Sequence, residues 1–343
     1  MRRDNSKVSG PGKNFFTRNT YLMYLVSTLV LICVFMLFVN RRFFSLVNIV
    51  SMFEQMADYA LMAIGIMLCI TAAGIDLSTV GVANMVGSIS AVFLLRFMPD
   101  GCSTATVVIF TVLTVLMAMV IGALCGLFNG LLITKLGIPA MLATMSANYL
   151  YTGICMVLTR GVSISGINTR FVTVFTYKIF GIIPIAMVIF LAFALAAHLY
   201  LNRSTYGIKL CMVGTNQKAT RYAGLPNDRI IIKAHAISGF LAAVAGLIML
   251  SRLSSSRADY GKSYSTQAIL IAILGGTSPL GGTFSVVGTV IGVLIVQAIT
   301  TAVSMTPRAN SYLKNLVYAV LLLFVMILDW YRVNKRPGKS RTG

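Results

Sequence analysis

A single acidic residue stands in a stretch that otherwise predicts membrane interior. Asp76 lies in AAGIDLSTVG, residues 72–81, between two long apolar runs, and we expect it to be the only carboxylate inside the membrane. A carboxylate at that depth costs on the order of a few kcal/mol, so its presence indicates a function or a local cap. Because aspartate is a favoured N-cap, we expect Asp76 to cap a helix that begins near Thr79. A proton-carrying or solute-binding role is the alternative.

The other polar residues form no catalytic or metal-binding pattern. The sequence has no Ser/His/Asp or Cys/His arrangement suited to nucleophilic catalysis and no cluster with metal-ligand spacing. It also lacks GxxxxGK[ST], so it has no P-loop with which to hydrolyse ATP. The six cysteines include no CxxC pair and mostly lie in apolar runs, which predicts small core residues. We therefore expect neither an enzyme nor a cofactor in this chain.

Composition places these residues in a membrane protein. Of the 343 residues, 57% are hydrophobic and 10% are charged, whereas an ordinary soluble domain has roughly 25% charged residues. Unbroken apolar runs of about 20 residues predict membrane-spanning helices and not a barrel. The net charge of +20 comes from basic residues in the connections between runs. We therefore expect no nucleic-acid partner.

Hydropathy predicts an all-α polytopic membrane protein of about ten transmembrane helices, some of them broken. With the N-terminus inside, the larger share of the 28 Lys and Arg residues lies in the two tails and other inner connections. Such a bias agrees with the positive-inside rule, and an even number of spans puts both tails in the cytoplasm. The predicted spans are 20–39, 56–74, 80–98, 105–134, 139–159, 182–202, 232–251, 266–276, 284–303 and 312–331.

Two segments rich in turn-forming residues interrupt the apolar runs. They are GIDLS, residues 74–78, and GGTSPLGG, residues 275–282, and a glycine-spaced apolar run follows each. Paired breaks are what an internal repeat with broken helices near a transport pathway produces. We hold an internal repeat as a hypothesis, and tight turns at the inner surface are the alternative. The break residues of interest are Asp76, Ser78, Gly275, Gly276, Thr277 and Ser278.

The longest polar connection, residues 203–233, predicts a feature of its own. A helix-compatible segment, Asn216–Tyr222, ends at Ala223-Gly224, a typical helix stop. A short helix on the cytoplasmic face suits the docking of a partner. The alternative is a solvated basic loop that binds anionic lipid headgroups.

Motifs that occur in order along most of the chain resemble a known family. They are GIDLS (74–78), NGLLITKLGIPAMLATM (129–145), LTRGVSISG (158–166), TYGIKLCMVGTNQKATRYAGL (205–225), SGFLAAVAGLIMLSR (238–252) and ILGGTSPLGGTFSVVGTVIG (273–292). Together, over roughly residues 45–330, they resemble the bacterial ABC-importer permeases of the ribose, galactose, xylose and arabinose type.

The resemblance implies a translocation subunit in the bacterial inner membrane, paired with a second permease copy or a paralogue. A two-domain ABC ATPase, which carries ATP and Mg, would bind from the cytoplasm, and an extracytoplasmic sugar-binding protein would dock from outside. Hydropathy, the distribution of Lys and Arg and the resemblance together predict a basic cytoplasmic N-tail (1–19), a transmembrane permease domain (20–331) with a cytoplasmic coupling loop (203–233), and a basic cytoplasmic C-tail (332–343).

The resemblance also implies roles for particular residues. The connection 203–233 would hold the coupling helix that sits in the ATPase cleft, and its glycines would allow close backbone packing. The residues implied are Gly207, Gly214, Asn216, Ala219, Arg221 and Gly224.

Four arginines in the outer connections are candidates for docking the binding protein. They are Arg160, Arg170, Arg252 and Arg257. Because the lobes of such proteins commonly present acids, complementary charge would favour encounter and register. Interfacial snorkelling is the alternative for each arginine.

A neutral sugar needs hydrogen-bonding groups along its path. Asn84 and Asn129 are candidates within apolar spans, and hydrogen bonding between helices is the alternative for both. Departures from the family pattern at Thr79 and Gln267 leave the solute open, since related permeases also serve nucleosides, inositol and autoinducer-2. An ion-coupled secondary transporter, with Asp76 as the coupling carboxylate, is the rival interpretation.

Overall fold

The computed structural model describes residues 11–98, 101–306 and 311–334, so residues 1–10 and 335–343 of the two predicted tails lie outside it. A short 3-10 helix, Arg41–Phe44, precedes α2, and two antiparallel ribbons pair β1 with β4 and β2 with β3. The elements are α1 (Pro11–Val39), α2 (Leu46–Thr71), α3 (Thr79–Phe97), α4 (Thr104–Lys135), α5 (Ala140–Thr159), β1 (Ile164–Ser165), α6 (Thr169–Thr176), β2 (Lys178–Ile179), β3 (Ile183–Pro184), α7 (Ile185–Arg203), α8 (Thr205–Thr215), α9 (Gln217–Tyr222), α10 (Asn227–Leu253), β4 (Ser255–Ser256), α11 (Tyr264–Leu274), α12 (Val286–Ser304) and α13 (Ser311–Asn334).

Within the described ranges, eight helices are long and apolar enough to cross a membrane. Two shorter apolar helices lie at Tyr264–Leu274 and Leu313–Ile327. Each of the ten predicted spans therefore falls on a helix, and the prediction of an all-α polytopic membrane protein is confirmed.

Several boundaries differ from the predicted ones. α2 begins at Leu46, well before residue 56, with Ser45 as its N-cap: the Ser45 hydroxyl accepts the amide of Asn48 at 3.3 Å. α8 is a helix within what the sequence predicted as a polar loop. α11 has only 11 residues, about 16 Å of helix, and cannot cross a hydrocarbon core of about 30 Å alone. The predicted span 266–276 is therefore a half-helix between two non-helical segments.

α10 is the central helix of the bundle and packs against α4, α2 and α3. Its contact with α4 brings backbone onto backbone: a Cβ at Gly239 would lie 2.2 Å from the carbonyl oxygen of Gly122. A Cβ at Gly126 would lie 2.1 Å from the carbonyl oxygen of His235. Small residues permit this close approach between helices in lipid, where packing takes the place of a hydrophobic driving force.

The two ends of the bundle differ. One, the ribbon end, carries the β1–β4 ribbon, in which Ile164 pairs with Ser256, and the β2–β3 hairpin before α7. The other, the break end, carries the non-helical residues 72–78 and 275–285 together with α8 and α9. The hydroxyl of Tyr21 in α1 donates to the carbonyl of Leu274 at 2.5 Å, so this part of α1 also lies at the break end.

Candidate functional site: the helix breaks and the segment that contacts them

Asp76 is fully buried in the first break and accepts three hydrogen bonds. Its Oδ1 accepts the amide of Ser78 at 3.0 Å and the hydroxyl of Ser78 at 2.6 Å, while Oδ2 accepts the hydroxyl of Ser238 in α10 at 2.7 Å. α3 begins at Thr79 as predicted. The expected cap is wrong in detail. The amide that Asp76 accepts belongs to Ser78, which precedes the helix, and the other carboxylate oxygen bonds to α10.

The Asp76 cluster extends to two more helices. Asn129 in α4 donates through Nδ2 to the hydroxyl of Ser78 at 2.7 Å. The hydroxyl of Tyr151 in α5 lies 3.2 Å from Oδ1 of Asn129 and donates to it. Asp76, Ser78 and Asn129, predicted separately, are thus brought into one buried network in which the break is bonded to α4, α5 and α10. Each hydrogen bond of Asn129 joins it to a different part of the bundle.

The two breaks are built alike. Ala73 follows α2 with a left-handed φ of +61°, and Gly276 follows α11 with a φ of +95°. In each case the next amide, at Gly74 or Thr277, donates to a carbonyl five residues back, at 3.0 Å and 3.1 Å. Both helices therefore end in a Schellman motif. This shared turn supports the internal-repeat hypothesis, which stays a prediction. Gly275, Gly276, Thr277 and Ser278 all lie in the second turn or directly after it.

The two breaks also contact each other under the end of α8. The amide of Gly282 donates to the carbonyl of Thr71 at 3.0 Å. Gly214 in the last turn of α8 lies against this bond: a Cβ there would be 1.8 Å from the Thr71 oxygen and 2.6 Å from the Gly282 nitrogen. Gln217 of α9 donates to the carbonyl of Ala72 at 3.3 Å. α8 and α9 thus pack directly on both breaks.

The predicted short helix is present as α9. Asn216 is its N-cap and accepts the amide of Ala219 at 2.9 Å. The helix stops before Gly224, whose φ of +76° is one that L side chains rarely adopt. Arg221 is exposed on α9 and pairs loosely with Asp228 at 3.5 Å.

α8 is anchored to the helix on either side of it. A Cβ at Gly207 would lie 1.9 Å from the carbonyl oxygen of Leu201, so only glycine allows α8 to turn so closely off α7. The hydroxyl of Tyr206 donates to the carbonyl of Ile230 in α10 at 3.1 Å. Burial raises the pKa of Tyr206 well above its usual range, which keeps the phenol protonated and the hydrogen bond in place.

A second buried carboxylate corrects the expectation that Asp76 is the only one. Asp58 in α2 is fully buried, and its Oδ2 accepts a hydrogen bond from Arg252 at 2.7 Å. Arg252 also donates to the hydroxyl of Tyr264 at 3.0 Å. The side chain of Arg252 is only 20% exposed, so it is engaged inside the bundle and not displayed for docking. The sequence carried the signal, because Asp58 falls within the predicted span 56–74.

The other three predicted docking arginines are exposed at the ribbon end. Arg160 follows α5 in a left-handed conformation. Arg170 donates to the carbonyl of Cys102 at 3.0 Å, and Arg257 pairs with Asp259 at 2.8 Å. The β1–β4 ribbon brings the segments that carry these arginines together.

Residues 254–263, between α10 and α11, enter the bundle, which the sequence did not predict. Asn84, near the start of α3, donates to the carbonyls of Ala258 at 3.0 Å and Tyr260 at 2.9 Å. The hydroxyl of Ser88 lies 2.8 Å from the hydroxyl of Ser256 in β4. The Asn84 contacts fall in the half of α3 nearer the break end, and Ser88 is the middle residue of the helix. Non-helical backbone at such depth occurs where it is buried in protein or lines an aqueous cavity. SSSRADYGKS is typical of a surface loop, so no sequence signal indicated its depth.

Comparison with known proteins agrees with this architecture. A family profile described as "Branched-chain amino acid transport system / permease component" matches residues 48–326. The chain belongs to this permease family. No solved structure matches it.

Three relatives show the range of the match. The chain is 33% identical over 302 residues to the ribose import permease protein RbsC of Haemophilus influenzae, covering 87% of this chain and 90% of the relative. It is 31% identical over 327 residues to RbsC of Escherichia coli K12, covering 93% and 97%. It is 30% identical over 294 residues to the autoinducer 2 import system permease protein LsrC of Yersinia enterocolitica, covering 85% and 77%.

The family and the fold together confirm the predicted resemblance. The chain is a multi-pass transmembrane permease of an ABC importer. The comparisons do not support the rival interpretation of an ion-coupled transporter with Asp76 as its coupling carboxylate.

Proposed function

We propose that this chain moves a sugar or sugar-like solute into the bacterial cytoplasm, with energy from a separate ATPase chain. The relatives named for ribose and autoinducer 2 support this solute class. On this proposal the chain has no ATPase site and no cofactor of its own, and ATP and Mg bind to the partner. The partners are a second permease copy or a paralogue, a two-domain ABC ATPase and an extracytoplasmic sugar-binding protein, with membrane lipid around the helices and no nucleic acid.

The observation that carries the proposal is the packing of α8 and α9 on both helix breaks. α9 presents the exposed side chains of Lys218 and Arg221 to a partner. Behind it, Gly214 leaves no side chain between α8 and the Thr71–Gly282 hydrogen bond. A push on α9 is therefore transmitted directly to the starts of α3 and α12, which leave the two breaks. This gives the ATPase a mechanical route to alternating access.

The same proposal sets the orientation, with the break end and both termini in the cytoplasm. The contact between Tyr21 and Leu274 supports an N-terminus on the side of the break end. Thr300, late in α12, bonds to Tyr318, early in α13, at 2.7 Å, so the two helices run antiparallel. α13 therefore returns toward the break end, which supports a C-terminus on the same side.

The solute path on this proposal passes the inserted residues 254–263 before it reaches the breaks. Arg257, Asp259 and Tyr260 are partly or fully exposed there and offer the polar groups that a sugar needs. The buried polar groups of Asp76 and Asn129 bond to neighbouring side chains. We therefore assign those two residues to positioning the helices at the break and not to holding solute.

The test is the substitution Gly214→Ala, with Gly153→Ala as its control. Gly153 is also helical, but a Cβ there meets nothing within 4 Å. Uptake of radiolabelled ribose is measured in cells that carry the ATPase and the binding protein, and ATP hydrolysis is measured in proteoliposomes of the same complex. We expect Gly214→Ala to lower uptake severalfold and to weaken stimulation of the ATPase by the binding protein. We expect Gly153→Ala to match the unsubstituted complex.

Two results would contradict the proposal. Equal uptake and equal stimulation in the two variants would show that α8 does not couple the ATPase to the helix breaks. The second result is a complex that assembles with its ATPase and imports neither ribose nor autoinducer 2 nor any other sugar offered. That result would show that the solute is not a sugar or sugar-like molecule.

A further inference from the structure

A groove on the side of the bundle has no part in the proposed transport cycle. It lies between α2, α7 and α10 and encloses about 170 Å³. Its lining is apolar apart from one tyrosine hydroxyl and includes Leu68 of α2 and Ile237 of α10. α7 is a peripheral helix whose Leu191, Leu195 and Leu199 are exposed, as is typical of a helix that faces lipid. The groove therefore lies beside a surface in contact with hydrocarbon.

The spacing of residues along α7 makes the groove. Phe193, Ala196, Ala197 and Tyr200 follow one another at helical intervals on one face, with the two small residues between the two rings. The groove thus runs about 10 Å along the helix. Phe193 closes one end by an edge-to-face contact with Phe240, with ring centroids 5.8 Å apart.

The other end of the groove is aromatic and positively charged. The rings of Tyr200 and Tyr206 are 5.5 Å apart, and Nζ of Lys233 lies 5.2 Å and 5.0 Å from their centroids. Arg203, in the last turn of α7, is exposed close by in the chain. In the part of the chain that the structure describes, neither cation forms an ion pair with a carboxylate. Two cations are thus left for an external anion.

We propose that the groove binds an anionic phospholipid, with an acyl chain between α7 and α10 and the headgroup phosphate at Lys233 and Arg203. The cavity is smaller than the roughly 300–1,000 Å³ of sites for small organic ligands. Apolar cavities of about 150 Å³ stay dry and accept hydrocarbon. Basic residues near the membrane surface attract anionic headgroups, and the two tyrosine rings hold the ammonium at the rim of the groove. This inference needs only that the chain lies in a bilayer, and it does not rest on the transported solute.

The role of the positive charge of Lys233 in lipid binding is tested by native mass spectrometry of the full-length purified chain. Phosphatidylglycerol or phosphatidylcholine of the same acyl length is added. We expect the unsubstituted chain to retain phosphatidylglycerol preferentially. Lys233→Gln should weaken the retention of phosphatidylglycerol roughly fivefold, because that is the change in affinity that one basic residue near an anionic membrane surface provides. Retention of phosphatidylcholine should change little. Lys262→Gln, which removes the same charge from an exposed residue that does not line the groove, is the control and should behave as the unsubstituted chain.

The cavity is tested by filling it. Ala197→Leu places a branched side chain in the groove, whereas Ala192→Leu adds the same atoms to an exposed position of α7 that does not line it. We expect only Ala197→Leu to reduce retention of both lipids, at an unchanged melting temperature. Lipid retention that is the same in all four variants would overturn the proposal. So would a dimer weakened by Ala197→Leu without any change in lipid, since a second copy of the chain would then cover the groove.

Discussion

Asp76 illustrates how a buried carboxylate is stabilised by neutral donors. Its oxygens accept hydrogen bonds from the amide and hydroxyl of Ser78 and from the hydroxyl of Ser238. In Asp76→Asn one acceptor becomes an NH2 group, so at least one of these bonds must be reversed or lost. We expect a loss of about 1–3 kcal/mol in the free energy of unfolding, measured in detergent by denaturant titration. Solute uptake per folded molecule should persist.

Ser238→Ala is the matched control for Asp76→Asn, because it leaves the carboxylate in place and removes one donor. Both variants should lose stability and keep uptake. If folded Asp76→Asn molecules were inactive while Ser238→Ala molecules transported solute, the carboxylate itself would be required. A coupled proton or a solute contact at Asp76 would then have to be reconsidered.

Between helices, the buried ion pair of Asp58 and Arg252 joins α2 to α10. Removing one member of a buried pair leaves an uncompensated charge and costs about 3–5 kcal/mol. We expect Asp58→Asn and Arg252→Gln each to destabilise the chain on this scale, and the double variant to lose much less than the sum. Thermal and denaturant unfolding of the four proteins would give the coupling free energy.

The ion pair of Arg257 and Asp259 provides the matched comparison for the double-mutant cycle of Asp58 and Arg252. Their ion-pair distance of 2.8 Å is nearly the same, but their side chains are 50% and 32% exposed. Water screens such a pair, so its coupling should not exceed about 1 kcal/mol. Equal coupling in both pairs would mean that Asp58 and Arg252 are hydrated and do not lock the two helices together.

The sequence predicted the elements that are determined by neighbouring residues and missed those that are determined by contacts with distant parts of the chain. The helix start near Thr79, the short helix α9 and both breaks follow from short-range chemistry of glycine, proline and capping residues, and all are present, although the role of Asn216 as the N-cap of α9 was not predicted. α8 and the inserted residues 254–263 were missed, because their positions depend on contacts with distant backbone. Gly214 next to Thr71 and Gly282, and Asn84 next to Tyr260, are such contacts, since no local pattern fixes which surfaces meet.

For the molecule as a whole, charge at the ribbon end should decide how a binding protein approaches. Arg160 is exposed and forms no ion pair with a described carboxylate, Arg170 already donates to a carbonyl, and the charge of Arg257 is partly neutralised by Asp259. Long-range attraction depends on uncompensated charge. A neutral carbonyl does not compensate the charge of Arg170, so we expect arginine-to-glutamate changes at Arg160 and Arg170 to weaken binding-protein-stimulated ATP hydrolysis more than the same change at Arg257.

The measurement is the binding-protein concentration that gives half-maximal stimulation, in proteoliposomes at several salt concentrations. Because rim charges act mainly on the rate of encounter, the substitutions should raise this concentration and leave unstimulated hydrolysis unchanged. The differences should shrink as salt rises, since the Debye length falls from about 30 Å at 0.01 M to about 10 Å at 0.1 M. Half-maximal concentrations that are unchanged in all three variants at low salt would show that the binding protein docks elsewhere. A change that persists at high salt would indicate a direct contact in place of long-range attraction.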